Sequence, residues 1–161
     1  MGDPQNQAPD LVYNIAEGRL NGEIDGVVIA AYAGSGGRAN SKTRGAVNDW
    51  LANNPFAVGV KKTASNPGGP LPMGRYYVVS HEAHKNWLRL VPVRQAAMHG
   101  RSGMAIHGRG PRGSDGCIVP TDFAVVLRLC ELVKAREDAG GDKVVLEVVA
   151  IGDLDRWLNR A

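Results

Sequence analysis

Thirty of the 161 residues are glycine or proline, 21 and 9 respectively, and they fall between short apolar runs. That punctuation confines the chain to short elements joined by tight turns and excludes a helical bundle. The length fits a single domain, residues 1–161, with a real core. Residues 11–16 alternate apolar and polar, Glu17-Gly18 makes a turn, and a returning strand ends near Asn21-Gly22, which composes an N-terminal hairpin. Residues 26–33 (GVVIAAYA) read as a buried strand, and residues 75–80, 87–93, 103–107 and 143–151 as four more. Pro92 pushes the strand that contains it toward a sheet edge. Residues 66–74 (NPGGPLPMG) form a shaped turn, and residues 46–52 a short helix. One long helix is expected, N-capped by Thr121 and running to about Asp138, with Phe123, Val126, Leu127, Cys130 and Lys134 on one stripe and Gly140-Gly141 as the stop. The class is therefore mainly β with one long helix (α+β), on a sheet that is antiparallel or mixed, and DLDRWLNRA closes the chain as a short turn.

Charge is segregated along the chain. Residues 38–112 hold twelve lysines and arginines against Asp49 and Glu82, whereas both flanking segments are acidic and the net is only +3. A basic middle points to an anionic partner such as a carboxylate-bearing substrate. Nucleic acid is set aside, because aromatic content is 6% and no helix-turn-helix or zinc-finger pattern is present. No run is long and apolar enough to span a membrane, and MGDPQNQAPD lacks the basic and apolar regions of a signal peptide. Two cysteines, Cys117 and Cys130, are too few for a disulfide scaffold.

The chemistry lies in GRSGMAIHGRGPRGSDGCIVP, residues 100–120, where a strand delivers His107 into a glycine-rich loop that returns ten residues later at Cys117. Glycines 108, 110, 113 and 116 permit a tight, partly left-handed path and leave amides free to point inward. In this reading Cys117 is the nucleophile, His107 its base, and the Gly116 and Cys117 amides an oxyanion hole. Arg109 and Arg112 favour the thiolate. Ser114 positions the loop, or His107, by hydrogen bonding. Cys130, on the apolar stripe, reads as a buried hydrophobe. His81 and His84 in SHEAHK resemble half a metal site, but no acidic third ligand accompanies them, and His99 reads as a surface residue. No metal and no cofactor is called for. Histidine before cysteine at this spacing excludes the papain-like and caspase-like arrangements.

The segment H-G-x5-S-x-G-C-I, from His107 through Ser114, Gly116 and Cys117 to Ile118, resembles the signature of L,D-transpeptidase (YkuD-type) catalytic domains. Gly69-Pro70-Leu71-Pro72-Met73-Gly74-Arg75-Tyr76 is similar to the G-P-x-P-x-G-x-Y turn of the same family. The resemblance implies a β-sandwich or barrel of packed antiparallel and mixed sheets, and an acyl-enzyme on Cys117 formed from a peptidoglycan stem tetrapeptide with release of terminal D-alanine. Water as acceptor gives L,D-carboxypeptidase activity, a D-amino acid gives exchange, and a second stem gives a cross-link. Gly108 and Tyr76 join the substrate-binding set on the same ground. The family's motif usually continues with arginine where this chain has Val119, so Arg109 or Arg112 is expected to take the substrate carboxylate. The short loop, the missing arginine and the absent signal peptide resemble the type VI secreted L,D-transpeptidase effectors. These are made in the cytoplasm and delivered to a target bacterium's periplasm, which extends the partners to secretion machinery and a cognate immunity protein. A housekeeping cross-linking domain and a non-catalytic wall or polyanion-binding module are the alternatives.

Overall fold

The computed structural model describes residues 7–43, 47–110 and 113–158. Among the described residues there are eight strands: β1 (Leu11–Asn14), β2 (Arg19–Ile24), β3 (Val27–Ser35), β4 (Gly74–Ser80), β5 (Leu88–Pro92), β6 (Ala105–Ile106), β7 (Ile118–Pro120) and β8 (Val144–Val149). They close into one barrel in the order β1-β2-β3-β7-β6-β5-β4-β8, with β8 returning to β1. The β1·β8 and β6·β7 pairs are parallel and the other neighbours antiparallel. The expected sandwich of packed sheets is thus overturned: a single mixed sheet closes on itself, because the terminal strand β8 pairs with both β1 and β4. Of the expected class, the mainly β character and the one long helix stand among the described residues.

Alternation explains the filling of the barrel. Leu11 and Tyr13, Leu20 and Ile24, Tyr76 and Val78, Leu88 and Leu90, and Leu146 and Val148 all point inward and are buried, as side chains must be in an eight-stranded barrel too narrow to stay empty. β3 is only half buried: Val28 and Tyr32 are exposed on its outer face, so the apolar run is amphipathic in fact. Pro92 lies at no edge. It ends β5 beyond the two residues that pair with β6, where its missing N–H interrupts no ladder. In the described part of residues 46–52 there are turns and no helix, capped by Asn48, whose carbonyl accepts the Ala52 amide at 2.8 Å; Ala46 lies outside the described residues.

The long helix, α1 (Phe123–Asp138), is capped by Asp122, whose carboxylate accepts the Ala124 amide at 2.9 Å, and not by Thr121. Its buried stripe is Val126, Leu129 and Val133, about one residue round from the expected one. Phe123 and Leu127 are exposed, Lys134 pairs with Asp138, and Cys130 is partly buried against the core. A short helix, α2 (Asp155–Leu158), follows β8. Arg136 on α1 bonds Asp10 at 3.2 Å and Asp25 at 3.0 Å, tying the helix to the start of β1 and the β2–β3 turn.

Candidate active site

The parallel pair β6·β7 sets the site. Ile106 and Ile118 are opposite each other and fully buried in the barrel, so His107, which follows the first, and Cys117, which precedes the second, flank the pair on either side and share the face opposite the buried isoleucines. The His107 amide donates to the Ile118 carbonyl at 3.2 Å, which locks the two ends of the loop. Both side chains line a cavity of about 850 Å³, with Trp87, Lys61, Lys62 and Arg101 around them. His107 Nδ1 lies 2.8 Å from the Gly108 carbonyl. A carbonyl only accepts, so Nδ1 carries the proton and Nε2 is the ring atom left to accept another. Burial lowers the imidazole's pKa, opposed by that carbonyl, and keeps the neutral base available below its ordinary range. The Trp87 indole stacks on the ring, with centroids 4.3 Å apart and planes 15° apart.

Cys117 is a free thiol, as is Cys130. Burial pushes the Cys117 thiol up to about 11; a main-chain hydrogen bond from Ala105 pulls it down, Asp115 adds to the rise, and Arg101 and Lys62 oppose it. The resting sulfur is therefore protonated at neutral pH, and its proton has to move to a base as it attacks. The cations that act on it are Arg101 and Lys62, where Arg109 and Arg112 were expected. Arg109 does border the cavity, exposed, with Nε donating to the Asn40 carbonyl at 3.3 Å; Arg112 lies outside the described residues.

Arg101 is the residue that sequence reasoning missed. Its guanidinium is 7% exposed and donates to the carbonyls of Val58 at 2.6 Å, Pro70 at 2.7 Å, Gly69 at 2.8 Å and Asp115 at 3.0 Å. Among the described residues no carboxylate lies within ion-pair distance of it. The main chain solvates this charge without neutralising it, so its field reaches into the cavity. Nothing in the sequence separates it from the other basic residues of the middle segment.

Ser114 is fully buried and organises the loop, not His107. Its hydroxyl accepts the amides of Gly36 at 3.0 Å and Gly116 at 3.2 Å and donates to the Cys117 carbonyl. The Gly116 amide is thereby committed, which corrects its expected place in an oxyanion hole; of the two amides, that of Cys117 is the one Ser114 does not engage. Gly116 is needed for space: φ is +137°, and a Cβ there would run into the Arg101 guanidinium and lie 2.9 Å from the Met104 sulfur. Of the four loop glycines, Gly113 and Gly116 have positive φ and Gly108 and Gly110 do not. Gly108 borders the cavity, and a Cβ there would sit 2.6 Å from the exposed Phe123 ring at the start of α1.

Ser35, also fully buried, extends the network by donating to the Gly116 carbonyl at 3.2 Å and accepting the Leu71 amide at 2.9 Å. The glycine-rich stretch after β3 and the proline turn before β4 are thus both fastened to the Cys117 loop. Tyr76 does not reach the cavity. It points into the core at 1% exposure, and its hydroxyl donates to the Pro72 carbonyl at 2.5 Å, because the alternation of β4 places it inward. It holds the proline turn and lines no part of the cavity that Cys117 and His107 share. His99 is exposed, and the His81 and His84 rings lie 4.7 Å apart with no group of three or more metal-ligating side chains among the described residues. No described helix is long and apolar enough to cross a membrane. Comparison of the chain with family models, with curated proteins and with solved structures finds no match.

Proposed function

We propose that the protein is a cysteine acyl-transfer enzyme of the L,D-transpeptidase type, acting on peptidoglycan stem tetrapeptides. The observation that carries the reading is the cavity shared by Cys117 and a His107 whose Nδ1 is already committed to the Gly108 carbonyl. In the first step Nε2 takes the thiol proton while sulfur attacks the carbonyl before the terminal D-alanine. A C–S bond forms, the C–N bond breaks, and His107 returns the proton to the departing amine. In the second step His107 takes a proton from the acceptor, water or an amine, whose attack on the thioester releases the Cys117 sulfur. The Cys117 amide and the field of Arg101 serve the negative charge that develops on the carbonyl oxygen. Lys61, Lys62 and Arg109 around the cavity attract the substrate's carboxylates, so capture weakens with salt. On this reading the enzyme works in the wall compartment of a bacterium.

A second reading, a non-catalytic module for wall fragments, is favoured by one feature: a thiol raised by burial and not lowered is the reverse of a preformed thiolate. Mass spectrometry of a stem-tetrapeptide muropeptide incubated with the native protein and with Cys117→Ala, with and without a D-amino acid, separates the two. Loss or replacement of one alanine by the native protein alone supports acyl transfer and identifies the acceptor. An untouched tetrapeptide, with binding retained, overturns acyl transfer in favour of the module.

A further inference from the structure

We propose that Trp87 is the positioning residue for the His107 imidazole, holding the ring's plane while the Gly108 carbonyl holds its rotation. The inference rests on the assignment of His107 as the base. The register explains why these two residues meet. Leu88 pairs with Ile106 and Arg89 with Ala105 in the antiparallel β5·β6 ladder, so the next pair outward is Trp87 with His107, directly opposite at the barrel's mouth. The rings stack face on face at 4.3 Å and 15°, while Nδ1 makes its 2.8 Å in-plane contact with Gly108. A stack restrains tilt but not spin about the ring normal, and a single in-plane hydrogen bond restrains spin but not tilt. Together they leave Nε2 one direction, which proton transfer to and from sulfur requires.

Trp87 is itself held. The turn between β4 and β5 closes with the His81 amide on the Trp87 carbonyl at 3.3 Å, and His81 Nδ1 accepts the amides of Ala83 and His84 at 3.1 Å each. The His84 ring packs 4.8 Å from the indole and the His81 ring 5.9 Å, edge on. Arg89 binds Glu82 across the turn, and Ser80 at its start is fastened to Glu137 of α1 through both its amide and its hydroxyl. A surface turn so heavily framed around one aromatic ring is built to keep that ring in place.

The test uses the full chain with Trp87→Ala and Trp87→Phe. Trp87→Ala is expected to lower kcat about 100-fold with KM nearly unchanged, and Trp87→Phe to recover most of the loss. Histidine-selective NMR of the same samples, with His107→Gln to assign the signal, reads the stack without turnover. The native His107 ring protons are expected upfield-shifted by the indole, with the Nδ1–H tautomer dominant, and both signatures lost in Trp87→Ala. A native spectrum without the ring-current shift overturns the proposal. So does a shift that is present while Trp87→Ala keeps its kcat. If the native protein leaves the tetrapeptide untouched, acyl transfer fails separately. The NMR arm then still decides: a tautomer lost with Trp87 supports positioning, and one that is unchanged overturns it.

Discussion

The two sides of the barrel are held by different forces. On the side of β2 and β3 the strands run together through six consecutive residue pairs, and the inward side chains are aliphatic. On the side of β6 and β7 one pair, Ile106 with Ile118, is all the ladder there is. Side chains take over there: Ser35, Ser114 and Arg101 bind main-chain groups of the stretch after β3, the proline turn and the Cys117 loop. The first side is stable through area removed from water and tolerates approximate geometry; the second fixes main chain atom by atom. The candidate groups His107 and Cys117 sit on the second side, where the ladder is down to one pair.

The largest expected effect is that of Arg101→Ala, which strips four carbonyls of their donor. It should cost about 4 kcal/mol or more in urea unfolding, and a near-neutral result would mean that the polar side is not held as described. Leu20→Ala, on the aliphatic side, should cost about 3 kcal/mol yet leave the rate of Cys117 alkylation within about twofold, since distant sites do not couple. Ser114→Ala should cost about 2 kcal/mol and, unlike Leu20→Ala, speed alkylation of Cys117 as the loop loosens; equal alkylation in the two variants would erase the contrast. Tyr76→Phe is the smallest, about 1 kcal/mol, with muropeptide affinity unchanged. Weakened capture at full stability would return Tyr76 to the substrate site.

The pH dependence sharpens the same contrast. Burial lowers the His107 pKa, so the acid limb of kcat/KM should fall below the ordinary imidazole range. Alkylation of Cys117 should instead keep rising into the alkaline range toward about 11, since the thiol is raised and the reagent needs the thiolate. An exposed, activated thiol would plateau near neutrality.

What the sequence made legible follows from how locally each feature is specified. The hairpin β1–β2 and the strands β4, β5 and β8 are carried by alternation and turn residues, and so is the start of the Cys117 loop. β7 is only Ile118–Pro120, too short to show a period, and it reads as the end of a loop. Closure depends on β8 meeting β1, a pairing between distant segments that no local pattern records. The helix was misphased because apolar residues occupy more than one of its faces, and only packing on β4 and β7 selects Val126, Leu129 and Val133. His107 and Cys117 were legible as a spaced motif, whereas Arg101 and Trp87 carry no local mark. One is an arginine in a basic segment, the other an aromatic at a strand's start, and both acquire meaning only through what the barrel brings beside them.

The single pair at the base of the His107–Cys117 excursion has an evolutionary consequence. Because Ile106 and Ile118 clamp the ends, lengthening the stretch between them costs only a slowly growing closure entropy, about 0.6 kcal/mol for each doubling. Under the proposed acyl transfer, insertions there would remodel which acceptor is admitted while the sulfur and the imidazole keep their places. Selection can thus act on substrate preference and on reactivity through separate residues, and a lineage can change its target without having to reinvent its chemistry.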